Sequence, residues 1–458
     1  MVRRALDYLD LLHRRADGDM EVLREVAAGY SKVAELQGGL GQPSLGEGKT
    51  ALDTYRKAAE LWRQMLDAQP KDAVAMESLA DMRFREGDAL ARSGRRDLAA
   101  QSWQDGFSSA QAAAVLAPKR SQPIYLMAVG WSKQAEENRN ANRPKEALEA
   151  SEKAIEAYRR VVELDPTDRN RTGLAVALDR AGLVLRDLND PAAAAKFFKQ
   201  GTQIREDLLA RNPNSVTYRR GFAVHLVNTA SALCSPHSIS LGDCKQAGEQ
   251  LRRAADEFEP LIERDPNDQN TLGDSLLALA NLCVALAEAK SPGAAATCRQ
   301  GVERGTRVRN IRDHTDYGWW QGMAFAGLAR AEMNEWHPVA SQAAAQMAVS
   351  ILRDRRLDPE HVRVDLIRAE TALGDAFLAQ GRRVQAREAF HRAKNAMGTN
   401  KDLAVLRAGA VSLRRLAEMG TDIEDRCEWL KREIDVWEEW RKGGGPASQV
   451  PKLPGVCR

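Results

Sequence analysis

The amino-acid sequence predicts an all-α protein, a right-handed α-solenoid built from helical hairpins. Three observations support this fold class: a helix-forming composition, a repeat of about 48 residues, and a recurring spacing of small and aromatic side chains. Of the 458 residues, 29% are charged and only 5% are aromatic, while alanine, leucine, arginine and glutamate dominate. This composition is typical of helices that pack against one another through alanine side chains.

Prolines followed by polar residues mark the repeat. Six of them recur along the chain, at Pro70, Pro118, Pro166, Pro213, Pro266 and Pro359. Their successive gaps are 48, 48, 47, 53 and 93 residues, and the last gap spans two repeats. Because proline cannot continue a helix and disfavours helical backbone in the preceding residue, each one predicts a boundary between helices. Between boundaries lie two stretches of helical periodicity, as in 171–188 and 192–210.

A finer motif recurs within three of the repeats. A glycine is followed 12 positions later by alanine, 4 positions further by an aromatic residue, and 3 further by another small residue. The three sets are Gly87, Ala99, Trp103 and Gly106; Gly182, Ala194, Phe198 and Gly201; and Gly374, Ala386, Phe390 and Ala393. Small residues at these points let antiparallel helices approach closely, and the ring fills the space beside them. The three alanines are therefore expected to be buried.

This motif resembles the tetratricopeptide repeat, which has a Leu-Gly pair in helix A and an alanine four positions before an aromatic residue in helix B. The family repeat has about 34 residues, so this one is longer by about 14. About seven residues added to each helix make nearly two turns, which keeps the same face inward. A generic α-solenoid shares the architecture and stays open as an alternative. The resemblance predicts about eight or nine helix pairs in 1–442, followed by a C-terminal tail, 443–458.

One glycine-rich stretch, residues 38–50, ends in Gly-Lys-Thr and invites comparison with a phosphate-binding P-loop. The P-loop pattern requires glycine at position 43, but Pro43 stands there and lacks an N–H donor. An amphipathic helical pattern precedes the stretch, whereas a P-loop follows a strand. We therefore predict a lengthened loop inside the first hairpin. A similarly lengthened loop is predicted before 247–254.

Six cysteines are placed so that pairing is plausible for a hairpin structure. Cys234 and Cys244 lie symmetrically about a loop centred on Ile239, and Cys283 and Cys298 about a turn near 290–291. Residues so placed face each other in an antiparallel hairpin, within bridging range if their Cβ vectors agree. The tail could bring Cys457 back to Cys427. Six buried free thiols are the alternative that the sequence leaves open.

The sequence offers no recognisable catalytic or metal-binding motif. The cysteines and the seven histidines lack zinc-site spacing, and neither a Gly-x-Ser-x-Gly motif nor an activated cysteine motif is present. A net charge of +3 gives no electrostatic reason to expect nucleic acid as a partner. No run approaches the roughly 20 apolar residues of a membrane helix, so no membrane insertion is expected. Trp319 and Trp320 could stack a ligand, but core packing is the expected role. We predict no cofactor.

Several segments look like the C-terminal tetratricopeptide region of bacterial membrane-spanning serine/threonine-protein kinases. They are 2–39, 51–58 and 426–445. In that family the kinase domain comes first, then a membrane helix, then repeats outside the cytoplasm. The chain lacks the Gly-rich loop and the Val-Ala-Ile-Lys, His-Arg-Asp and Asp-Phe-Gly motifs of kinases, so phosphotransfer is not assigned to it. The resemblance implies an extracytoplasmic location if a membrane helix precedes, and otherwise a cytoplasmic one.

The function predicted from these observations is a non-enzymatic scaffold or sensor that binds protein or peptide in a concave groove. Helix A lines that groove in the family. The corresponding positions are Asp81, Asp88, Asp179, Arg186, Arg368 and Asp375. Each can also be read as a solvated surface charge. A groove that binds a small signalling ligand is the second hypothesis, and a stand-alone cytoplasmic adaptor is a variant of the first.

Overall fold

A computed structural model describes residues 2–38, 48–311, 315–420, 422–445 and 457. In these residues the chain forms nineteen α-helices and no strand. Their bounds are α1 Val2–Arg15, α2 Met20–Gly38, α3 Gly48–Ala68, α4 Ala73–Arg92, α5 Arg96–Leu116, α6 Ser121–Asn140, α7 Pro144–Leu164, α8 Asp168–Asp187, α9 Pro191–Arg211, α10 Val216–Leu233, α11 Cys244–Arg264, α12 Gln269–Glu288, α13 Ala294–Ile311, α14 Thr315–Asn334, α15 Pro338–Leu352, α16 Pro359–Ala379, α17 Arg383–Met397, α18 Leu403–Glu418 and α19 Ile423–Lys442. The α-solenoid predicted from the sequence is confirmed.

The chain divides into two compact units, residues 1–184 and 185–458. Within each unit, consecutive helices pack as antiparallel hairpins, such as α4 with α5 and α16 with α17. Even-numbered helices also contact the next even-numbered helix: α4 with α6 in unit 1, and α10, α12, α14, α16 and α18 in series in unit 2. Odd-numbered helices contact mainly their neighbours in sequence. The even-numbered helices therefore form one layer of each unit, which we call the inner layer.

The contacts inside the hairpins follow the small-residue motif. Ala99, Ala194 and Ala386 are each 0% exposed, which confirms the burial predicted for them. A Cβ atom added to Gly87 would lie 2.4 Å from the Trp103 ring and 3.0 Å from the Ala99 carbonyl oxygen. Real Cβ contacts are longer than this, so glycine at that position is what allows α4 and α5 to pack so closely.

The boundaries between helices have local causes. The six repeat-marking prolines lie outside helices or, for Pro359, at the first position of one, as predicted. Aspartate side chains cap several of the helices that follow. Asp72 accepts from the backbone N–H groups of Val74 and Ala75, and Asp402 accepts from those of Ala404 and Val405. Such caps satisfy N–H groups that have no partner inside the helix.

Two expectations about particular segments need comment. Residues 39–47, most of the lengthened loop predicted in the first hairpin, lie outside the described residues. The structure shows a helix, α2, before this segment, and Gly48 begins α3.

The expectation that no segment is apolar and long enough for a membrane span is wrong for α12, Gln269–Glu288, which is both long enough and apolar enough. Most of α12 is buried among its neighbours, as in the core helix of an α-solenoid.

Candidate functional site

A loop closed by a disulfide lies on the inner layer of unit 2. It spans residues 235–243, between α10 and α11, and the Cys234–Cys244 bond joins its two ends. We call it the stapled loop. The Ser235 N–H donates to the Ser240 Oγ atom (3.2 Å), and the Leu241 N–H donates to the Ala232 carbonyl oxygen (2.9 Å). Ile239 at the loop centre is 5% exposed, so the middle of the loop is buried against the protein.

One side of the stapled loop is attached to α14 and α16 through a buried carboxylate. The His237 Nε2 atom lies 2.8 Å from Oδ2 of Asp365, which is fully buried. The Trp319 indole N–H donates to the same oxygen at 2.8 Å. Burial alone would raise the pKa of Asp365, but the His237 imidazole and the Trp319 N–H outweigh burial and hold that pKa below its ordinary value. The pair joins residues 128 positions apart in sequence.

The other side of the loop is attached to α18. The Arg407 guanidinium donates to the Ser235 carbonyl oxygen at 2.5 Å, a contact between residues 172 positions apart. A loop that follows α10 thus contacts α14, α16 and α18. Because these helices belong to three successive hairpins, the loop lies across the inner layer and not at its edge.

The stapled loop separates two cavities in unit 2. The first, of about 240 Å³, lies between the loop and α12, α14, α16 and α18, and we call it the arginine cavity. Its charged lining residues are Glu288, Arg330, Arg368 and Arg407. The second, of about 470 Å³, lies beside His237 and Trp319 and is called the histidine cavity. Arg186, Asn228, Asn281 and Trp320 are among its lining residues.

Two of the three arginines that line the arginine cavity form ion pairs with carboxylates on other inner helices. Arg368 lies 2.8 Å from Glu288 on α12, and Arg330 lies 3.3 Å from Asp375. Arg368 holds the pKa of Glu288 below its ordinary value, against the opposing effect of burial. Burial raises the pKa of Asp375, although Arg415 and Arg330 act against it. The Arg330–Asp375 pair joins the neighbouring helices α14 and α16, whereas the Arg368–Glu288 pair joins α16 to α12, on either side of α14.

The predicted groove residues of unit 1 all lie on inner helices. Asp81 is half-buried on α4 and pairs with Arg85 one turn later (2.9 Å). Asp88 accepts from the Trp103 indole N–H at 3.0 Å and pairs with Lys133 of α6 at 2.5 Å, so it connects two successive hairpins. Asp179 is buried in α8. Asp88 and Asp179 are therefore not the freely solvated charges of the alternative interpretation.

The predicted groove residues of unit 2 lie at the two cavities. Arg186 donates to the Ser231 Oγ atom at 3.3 Å and lines the histidine cavity. Arg368 lines the arginine cavity, and Asp375 lies behind it through its pair with Arg330. A role for the six residues in ligand binding stays a prediction.

All six cysteines are joined in disulfides in the structure. Besides the stapled loop, Cys283 is bonded to Cys298 across the α12–α13 turn, and Cys427 on α19 is bonded to Cys457. The first two pairs are those placed symmetrically about a hairpin turn in the sequence, and the third is the one that the C-terminal tail could form. In the described residues no group of three or more histidine, cysteine, aspartate or glutamate side chains could hold a metal ion.

Sequence reasoning missed the stapled loop as part of the site. His237 carried no motif, and Asp365 and Arg407 looked like ordinary helical charges. Trp319 was assigned to core packing, and it does pack beside a small core on α14–α16, but its N–H also holds Asp365. The available signal was the extra length of the loop before 247–254, bounded by two cysteines.

The fold and this inner layer define the class as an α-solenoid of helical hairpins. A family model described as "Tetratricopeptide repeat" matches residues 145–168, which cover α7 and its turn. The apo form of RapI has 11% identity and a TM-score of 0.54, over 88% of this chain and 98% of that chain. This similarity is one of fold alone.

Two solved tetratricopeptide proteins are similar at lower TM-scores. One from Parabacteroides merdae has 13% identity and a TM-score of 0.33, over 74% of this chain and 98% of that one. YrrB, a protein "with an unusual peptide-binding site", has 16% identity and a TM-score of 0.29, over 57% and 96%. The search of curated proteins finds no significant match. None of these comparisons links the chain to a kinase.

Proposed function

We propose that the chain is a non-enzymatic scaffold whose inner layer binds a protein or peptide segment. The observation that carries the proposal is the stapled loop itself. It is a short peptide segment lying across the inner helices of unit 2, where Arg407 binds its backbone carbonyl and Asp365 its histidine side chain. The inner layer therefore has the donors and acceptors that an extended polypeptide requires. Tetratricopeptide solenoids are in general protein-interaction scaffolds.

The charged residues of the inner layer are proposed to contact the partner. Asp81 is half-buried, and Arg186 lines the histidine cavity, so each has a face that a bound segment can reach. Contacts of this kind with partly exposed charges contribute modestly to affinity and more to partner choice.

The test is a selection of peptides from a displayed library on the full chain, followed by fluorescence anisotropy with the selected peptides. Arg186→Gln or Asp81→Asn should weaken binding about two- to fivefold, the effect of a partly exposed charge pair. The matched controls are Arg383→Gln and Asp53→Asn, which alter exposed charges on the outer helices α17 and α3. Equal affinity in all four variants, at unchanged melting temperature, would contradict binding on the inner layer.

We also propose that the scaffold lies outside the cytoplasm beside a bacterial serine/threonine kinase. The support is the resemblance of segments 2–39 and 426–445, together with three disulfides, which persist in oxidising compartments. The discriminating observation is the genomic sequence upstream of Met1. A kinase domain followed by a membrane helix is expected there, and an unrelated reading frame would favour the stand-alone adaptor.

A further inference from the structure

The arginine cavity brings together three guanidinium groups from three successive inner helices. Arg330 comes from α14, Arg368 from α16 and Arg407 from α18. The stapled loop covers them, and the Cys234–Cys244 bond is part of the lining. The remaining wall is mostly small and apolar, formed by Ala326, Ala372, Ala408 and Val411, with Thr371 as a hydroxyl group.

Charge in the cavity lining is unbalanced. Three arginines face a single carboxylate, Glu288, which is paired with Arg368. Arg330 is paired with Asp375 behind the wall. Arg407 has a backbone carbonyl as its partner, and within the described part of the chain no carboxylate lies at ion-pair distance from it. Burial lowers the pKa of Arg407 and the neighbouring Arg368 lowers it further, while the more distant carboxylates of Glu288 and Asp402 act against this without reversing it.

Two of the arginines that line the cavity have donors that are not used. The Arg368 Nε–H is buried and has no hydrogen-bond acceptor among the described residues. A guanidinium group carries five N–H donors in a planar arrangement. Arg407 uses one of them in the hydrogen bond to the Ser235 carbonyl oxygen. Buried donors without acceptors are costly, and a cationic donor most of all, so a missing acceptor with negative charge would satisfy both arginines.

We propose that the arginine cavity binds a small organic anion: one carboxylate or phosphate group on a compact apolar body. Arg368 and Arg407 hold the anionic group, which accepts hydrogen bonds from their guanidinium groups and offsets the excess positive charge. The apolar body lies against the alanine side chains and the disulfide. The volume of about 240 Å³ limits the ligand to a small molecule. This site is separate from the scaffold function and needs no bound peptide.

Titration calorimetry on the full chain, without any peptide, tests the site with three probes of similar shape. Phenylacetate and phenyl phosphate carry the two candidate anionic groups, and phenylacetamide is the neutral control. We expect saturable binding of at least one anion at millimolar concentration or below, and no saturable binding of the amide. The tighter of the two anions identifies the anionic group.

Variants connect binding to the named side chains. Arg407→Gln should weaken the anion at least about tenfold, as expected for a lost hydrogen bond to a charged group. Arg383→Gln, the same substitution at an exposed position on α17, should leave the affinity unchanged. Arg368→Lys keeps the charge but loses the planar fork, so it should weaken binding severalfold and provides a second test if Arg407→Gln does not fold.

Three results would each overturn the proposal: no saturable binding of either anion, equal binding of the neutral amide, or affinity unchanged in both cavity variants. Circular dichroism and melting temperature check that each variant is folded before it is titrated. Any of the three results leaves the scaffold proposal intact, because that proposal is tested with peptides and with different residues.

Discussion

At the scale of single residues, the helix contacts depend on alanine and glycine at a few positions. Ala99, Ala194 and Ala386 are fully buried, and the close approach measured at Gly87 recurs at Gly374, where an added Cβ would lie 2.4 Å from the Phe390 ring. Interiors are packed as densely as organic crystals, so such sites have no room for an added methylene group. This requirement for small residues explains the regular spacing of the motif in the sequence.

Overpacking one of these positions should therefore destabilise the fold. Ala194→Leu is expected to lower the free energy of unfolding by about 1–3 kcal/mol. Urea denaturation followed by circular dichroism measures the change. Ala192→Leu, at an exposed position of the same helix, is the matched control and should change the stability by less than about 0.5 kcal/mol. Equal stability of the two variants would mean that α9 can rotate to expel the larger side chain.

Inner-layer charges show a second residue-scale pattern. Asp88 pairs with Lys133 of the next inner helix, and Asp375 of α16 pairs with Arg330 of α14 in the same way. Arg368 of α16 pairs with Glu288 of α12, two inner helices away. The sequence predicts Asp88, Arg368 and Asp375 to be groove positions that bind a partner. Each of them also joins different inner helices, so its substitution should affect stability as well as any binding.

At the scale of elements, helix starts are specified by the residues just before them. Asp402 illustrates the rule for α18, because its Oδ1 atom accepts from the N–H groups of Ala404 (2.8 Å) and Val405 (3.3 Å). α18 also carries Arg407, which contacts the stapled loop. The cap on α18 therefore helps to hold Arg407 in position at the arginine cavity.

Removing this cap should loosen the first turn of α18. Asp402→Ala is expected to cost about 1 kcal/mol, whereas Asp402→Asn, which caps comparably well, should cost little. Hydrogen–deuterium exchange of the α18 amides measures the loosening of the first turn, and urea denaturation of the whole chain measures the change in stability. Exchange that is equally fast in the two variants would indicate that charge at this position matters more than the cap hydrogen bonds.

At the scale of the whole molecule, the two units differ in covalent support. All six cysteines and all three disulfides belong to unit 2, whereas unit 1 depends on non-covalent contacts. The disulfides close chain segments of 10, 15 and 30 residues. Stability in a solenoid is roughly a sum over repeats and their nearest-neighbour contacts, so a local crosslink acts mainly on its own hairpin.

Reduction should therefore destabilise unit 2 selectively. In the chain-entropy model the crosslinks over 10 and 15 residues should each contribute up to about 3 kcal/mol, and the crosslink over 30 residues somewhat more. Reducing agent should therefore lower the melting temperature without unfolding the whole array. Hydrogen–deuterium exchange should become faster in α10–α13 and α19 and stay unchanged in α4–α6. Intact mass after alkylation without reduction is the control: six alkylated thiols would show that the bonds do not form.

The sequence by itself determined the helices, the proline boundaries, the buried alanines and the hairpin symmetry of the cysteine pairs. All of these depend on local rules: helical periodicity, proline geometry, and small residues where two adjacent helices meet. Only the tertiary structure brought Asp365 to His237 and Arg407 to the backbone of Ser235, across 128 and 172 residues. The stacking of successive hairpins decides which distant side chains meet on the inner layer. That stacking depends on the contacts between several repeats, and no single segment of the sequence encodes it.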